Sequence, residues 1–109
     1  MDELIKQVKI LGSELSDRVP VSGFNLKAFF ANVVVTAGAK KGRLLDLGEK
    51  KSVVINSAHP MAKKLTDGKP GRAEVLVSAI ISLVNRAEEK LTDEHQHELH
   101  RHLLMSMVN

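Results

Sequence analysis

From about Pro70 to Leu91 the chain carries an unbroken helical period. Ala73, Leu76, Val77, Ile80, Leu83, Val84, Ala87 and Leu91 recur three, four and seven apart, which is one continuous face of an α-helix. Pro70 suits the first turn, where its missing N–H costs nothing, and Arg86 and Lys90 sit toward the negative end of the helix dipole. Val75, Ala79 and Ile81 widen the apolar surface beyond the stripe of an ordinary surface helix, so this helix needs cover on most sides.

A second helix follows within a few residues. Thr92 is its N-cap, Asp93 and Glu94 stand where carboxylates favour a helix N-terminus, and Leu99, Leu103, Leu104, Met107 and Val108 make its buried face. So short a link makes an antiparallel helical hairpin, which cannot enclose both of its own apolar faces. Either the N-terminal half covers the remainder or a second copy does. Two-fold pairing of hairpins into a four-helix bundle is the economical solution, and it predicts a homodimer interface at Leu76, Ile80, Leu83, Val84, Ala87, Leu99, Leu103 and Met107.

The N-terminal part reads as shorter pieces. Residues 2–17 predict a first helix with Leu4, Ile5, Val8, Leu11 and Leu15 on one face, broken by the stretch that holds Pro20 and Gly23. From Asn25, an N-cap, a second helical pattern uses Leu26, Phe29, Phe30, Val33, Val34 and Ala37 and ends in the GAKKG turn from Gly38 to Gly42. The β-branched run Val33-Val34-Val35-Thr36 makes a strand the competitor there, and pattern length favours the helix. Arg43 to Leu47 and Ser52 to Asn56 read as two strands about the turn Gly48-Glu49-Lys50-Lys51, with Gly48 available for positive φ. Two strands alone are marginal, so this hairpin has to lie on the helices or pair with another edge.

The fold class expected is α+β and predominantly helical: about four helices, with a short β-hairpin between helix 2 and the C-terminal helical hairpin. No repeat, low-complexity tract or linker interrupts the chain, so residues 1–109 read as a single domain. Within it, 1–39 are the N-terminal helices, 43–56 the hairpin and 60–108 the helical dimerisation region. Apolar residues make up 43% and aromatic ones only 3%, so the core is aliphatic around three Phe, and stacking platforms for bases or sugars are nearly lacking. The absence of Cys excludes disulfides and thiolate metal sites. The opening MDELIKQVKI is charged and periodic, unlike a signal peptide, and no apolar run approaches the ~20 residues of a membrane span. The expectation is a cytoplasmic protein with no membrane partner.

The order of elements in the second half, with the residues Asn56-Ser57-Ala58-His59-Pro60 and a short helix holding Lys64 and Leu65, resembles the C-terminal dimerisation domain of the ninety-kilodalton heat-shock chaperones. In that family an asparagine, two variable residues and a His-Pro pair precede the helices whose pairing dimerises the chaperone. Asn56, His59, Pro60, Lys64 and Leu65 carry the likeness, which extends by general pattern over residues 53–108. The ATP-contacting residues of the family have no counterpart here, so the resemblance implies dimer formation.

Charge is unevenly spread. Residues 40–72 carry nine basic side chains against three acidic, and residues 73–109 carry three against six. Lys40, Lys41, Arg43, Lys50, Lys51, Lys63 and Lys64 form the basic surface, which suits a phosphate backbone or an acidic protein, and equally a solvated edge that blocks strand-to-strand aggregation. The Gly68-Lys69-Pro70-Gly71-Arg72 loop lacks the spacing of a phosphate-binding Walker loop and reads as a turn and helix start. Four of five histidines fall between His95 and His102, yet His97 with His100, or Glu98 with His102, offers two ligands on one helix face where zinc needs three or four, so no metal or other cofactor is expected. His59, Ser57 and Asp67 lie near one another in sequence without a nucleophile motif around them, so no catalytic residue is assigned. The function expected is a non-enzymatic protein–protein interaction and dimerisation module, with a basic-surface nucleic-acid-binding regulator as the alternative.

Overall fold

The computed structural model describes residues 2–19, 25–36, 43–48, 52–88 and 92–108. Among them the chain is α+β and mostly helical, with five helices and a three-stranded sheet: α1 (Asp2–Arg18), α2 (Leu26–Ala31), β1 (Val33–Thr36), β2 (Leu45–Leu47), β3 (Val53–Asn56), α3 (Pro60–Leu65), α4 (Arg72–Glu88) and α5 (Asp93–Val108). The predicted GAKKG turn, the break between Pro20 and Gly23, Lys90 and Leu91 lie outside the described residues.

α1 follows its sequence pattern closely. Leu4, Ile5, Val8 and Leu15 are buried, Leu11 is half-buried, and Asp2 and Glu3 stand at the positive end of the dipole. Its middle holds Gly12, an unfavourable residue for a helix interior. A Cβ there would overlap the ring of Phe30 and come within 2.7 Å of Phe30 Cβ, so the glycine is the socket that lets α2 lie against α1.

The expected single helix over residues 25–37 is two elements. Asn25 caps α2 by accepting from the Ala28 N–H at 3.0 Å, and Phe29 and Phe30 are buried with their rings edge to face. At Asn32 the backbone N–H turns back to the Phe29 carbonyl and the side chain donates to the Ala28 carbonyl at 2.7 Å, which closes the helix. Val33 to Thr36 then run as β1, parallel to β3 with Val33 opposite Val53 and Thr36 opposite Asn56. β-Branched propensity wins because a partner strand lies there to pair with. The predicted hairpin forms on the other side of β3, Leu45 opposite Ile55 and Leu47 opposite Val53, and is closed by the Gly48 N–H donating to the Ser52 carbonyl at 2.8 Å. Gly48 is not at positive φ, and residues 49–51 lie outside the described residues. β3 is therefore central, and Val53 and Ile55 are fully buried.

From β3 the chain turns directly into α3 and then α4. The long helix begins at Arg72, two residues later than the sequence pattern suggests, because Gly71 has φ 85° and a left-handed residue cannot lie inside an α-helix. Ala73, Leu76, Val77, Ile80, Ile81 and Val84 of α4 are buried, and α1, α5, α3 and β2 all pack on it. Most of its wide apolar surface is covered within one chain, with Val75 left exposed.

Candidate functional site

The residues that resemble the chaperone family fold into a strand-to-helix turn with a clear local purpose. Asn56 at the end of β3 accepts the Ala58 N–H at 3.0 Å, and Ser57 donates its hydroxyl to the Thr36 carbonyl at 2.8 Å, tying the turn to β1. His59 caps α3: its Nδ1 accepts the Met61 N–H at 3.0 Å, so Nδ1 is the bare nitrogen of the ring, and Pro60 takes the first helical position. Asn56, His59 and Pro60 together set the direction in which α3 leaves the sheet. Lys64 is exposed on α3 and Leu65 is buried.

Asp67 organises the loop that follows. It accepts from Arg72 through both oxygens, Nε to Oδ1 at 3.1 Å and Nη2 to Oδ2 at 2.8 Å, and Oδ1 also takes the Lys69 N–H at 3.0 Å. The Arg72 guanidinium, then the Lys69 amide, hold the Asp67 carboxyl well below the usual carboxylate range, and the same bond raises Arg72. Gly68 and Gly71, at φ 80° and 85°, let the chain fold around this pair. Ser57, His59 and Asp67 are thus each engaged by a different partner and do not form a triad.

The histidines of α5 separate. Thr92 caps the helix by accepting the His95 N–H at 3.1 Å, and His95 Nδ1 is buried without a hydrogen-bond partner among the described residues. His97 is exposed, His100 Nδ1 is hydrogen-bonded with Ser78 Oγ of α4 at 3.1 Å, and His102 faces α1. Glu98 accepts from Arg101 Nη2 at 3.0 Å, and that bond lowers its carboxyl. Among the described residues no three His, Asp or Glu side chains converge where one metal ion could be held.

Of the residues assigned to a dimer interface, Leu76, Ile80, Val84, Leu99 and Leu103 are at most 3% exposed in a single chain, and Leu83 is half-buried. One copy already covers the first five, so they are core positions. The side chains of Ala87 and Met107 lie outside the described residues. Leu104, expected on the buried face with Leu103, is 61% exposed, because one residue further along a helix turns about 100° away.

Apolar surface appears instead on the outer side of the same hairpin. Val75 of α4, 44% exposed, and Leu104 of α5 border a cavity of about 250 Å³ with Leu103, Ser78, His100 and Glu74. Val75 was legible as a flank of the apolar face; its exposure was not, because that depends on which side α1 and α5 cover.

Of the basic residues, Arg43, Lys63 and Lys64 are exposed, while Lys40, Lys41, Lys50 and Lys51 lie outside the described residues. No helix among the described residues is long and apolar enough to cross a membrane. Comparison with family models, with curated proteins and with solved structures finds no match.

Proposed function

We propose that this chain is a non-enzymatic interaction module that pairs with a second copy of itself through the outer face of α4 and α5. The observation that carries this reading is the exposed pair Val75 and Leu104, on neighbouring helices around one apolar cavity. The inner face of the hairpin is consumed by the core, so the partner surface moves to the opposite side. A two-fold pairing needs only one patch complementary to itself. The resemblance carried by Asn56, His59, Pro60, Lys64 and Leu65 supports the same reading, since the helices that follow those residues in the chaperone family pair. Light scattering over a dilution series tests it: a mass of two chains that falls to one on dilution is expected, and one chain at every concentration removes the proposal.

A second reading rests on the excess of basic side chains over residues 40–72, of which Arg43, Lys63 and Lys64 are exposed. A nucleic-acid-binding regulator using them would retard DNA or RNA at low salt and lose it steeply as salt rises. Absence of any retardation at low salt eliminates this reading.

A further inference from the structure

α1 and α5 both lie against α4, and at the surface they leave a cleft of about 240 Å³ between them. Its lining divides by chemistry. Leu11 and Leu15 of α1 and Met105 of α5 supply apolar surface, and Arg18, Arg101 and His102 bring basic groups to the same opening, with Glu14 as the one carboxylate. Arg18 has no ion pair or side-chain hydrogen bond among the described residues. Arg101 uses Nη2 on Glu98 and Nη1 on the Met105 sulfur at 3.5 Å, which leaves part of its five-donor fork unengaged. Two guanidinium groups beside an apolar floor are unneeded for folding, since both are exposed, yet they suit a planar anion attached to a hydrocarbon.

We propose that this cleft binds a small aliphatic carboxylate. The carboxylate lies between Arg18 and Arg101, and the hydrocarbon rests on Leu11, Leu15 and Met105. The volume, about 240 Å³, stands just below the usual range for ligand sites, so the ligand is small. Such a molecule reaches a protein from two sources, a free aliphatic amino acid or a plain aliphatic acid. Glu14 discriminates between them, because it can take the ammonium group of the first.

Heteronuclear NMR titrations with leucine, isocaproate and the uncharged isohexyl alcohol test the site. Saturable shifts confined to residues lining the cleft are expected from a carboxylate. They should saturate about tenfold less readily in Arg18→Gln and Arg101→Gln, with thermal unfolding of both variants unchanged. Tighter binding of leucine, lost in Glu14→Gln, assigns the amino acid; tighter binding of isocaproate assigns the plain acid. No saturable shift from either carboxylate, or an alcohol that binds as well as both, overturns the proposal, and the alcohol comparison needs no variant to fold.

Discussion

α1 and α5 rest on the same helix and are held by it very differently. α1 sends Leu4, Ile5, Val8 and Leu15 into the core and receives Phe30 at Gly12, whereas α5 commits only Leu99 and Leu103 among its described side chains. Each large aliphatic side chain so buried contributes about 1.5–3 kcal/mol, so among the described side chains α1 sends roughly twice as much into the core as α5 does. α5 adds a polar tie, His100 to Ser78, and leaves Leu104 and Met105 in solvent. The contrast teaches where to look for function. α1 puts its apolar face into the core and still lends Leu11, Glu14, Leu15 and Arg18 to the cleft, whereas α5 presents both the outer apolar face and the other wall of that cleft.

The largest expected effect comes from the floor on which the core rests. Ile80→Ala, at a fully buried position, should cost about 2–5 kcal/mol in denaturant unfolding; a loss below about 1 kcal/mol would mean that α4 is not the shared centre. Gly12→Ala follows and is decided by sign. On a free helix face the change would stabilise by about 1 kcal/mol, but against Phe30 a net loss of about 1–3 kcal/mol is expected. A gain would show that α1 and α2 are not seated as described.

Next comes the difference between the two helices themselves. Amides of α5 should exchange with solvent at least about tenfold faster than those in the middle of α1, and Leu99→Ala should widen the gap without loosening α1. Equal protection would break the comparison. Ser78→Ala should cost about 0.5–1.5 kcal/mol, the range of one partly buried hydrogen bond, and His100→Ala should add little to it in the double variant. Smallest is the Asp67–Arg72 pair. Its folded-state carboxyl is depressed, so its stabilisation is present above the ordinary carboxylate range near pH 4 and is lost as pH falls further. Solvent screens so exposed a pair, so Asp67→Asn should show a slight deficit at neutral pH that closes on acidification in thermal scans.

Much of this arrangement was legible in the residue pattern. α1, α4 and α5 follow their apolar periods to within a few residues, and β2 and β3 form the expected hairpin, but in a register one residue from that of a four-residue turn, since Leu47 lies opposite Val53 and Gly48 bonds to Ser52. β1 stood only as the competitor to a longer helix, because its parallel partner lies twenty residues away and Phe29, Phe30 and Val33 keep a helical spacing. The surface was harder still. Leu103 and Leu104 are identical in chemistry and adjacent in sequence, and only the placement of α5 against α4 decides which is core. Gly12 was visible as an odd residue in a helical run, a signal of close approach that needed the ring of Phe30 to acquire meaning. The cleft groups Arg18 and Arg101 had no sequence signature, being far apart in the chain and unremarkable singly.

The division of α4 and α5 into an inner face that folds the chain and an outer face that pairs it is tested most directly by the solution mass of Leu104→Glu beside the parent protein. The parent should scatter as two chains, and the variant as one, with its helical circular dichroism retained because Leu104 is already solvent-exposed. A variant that still scatters as two chains would place the contact elsewhere and contradict the account.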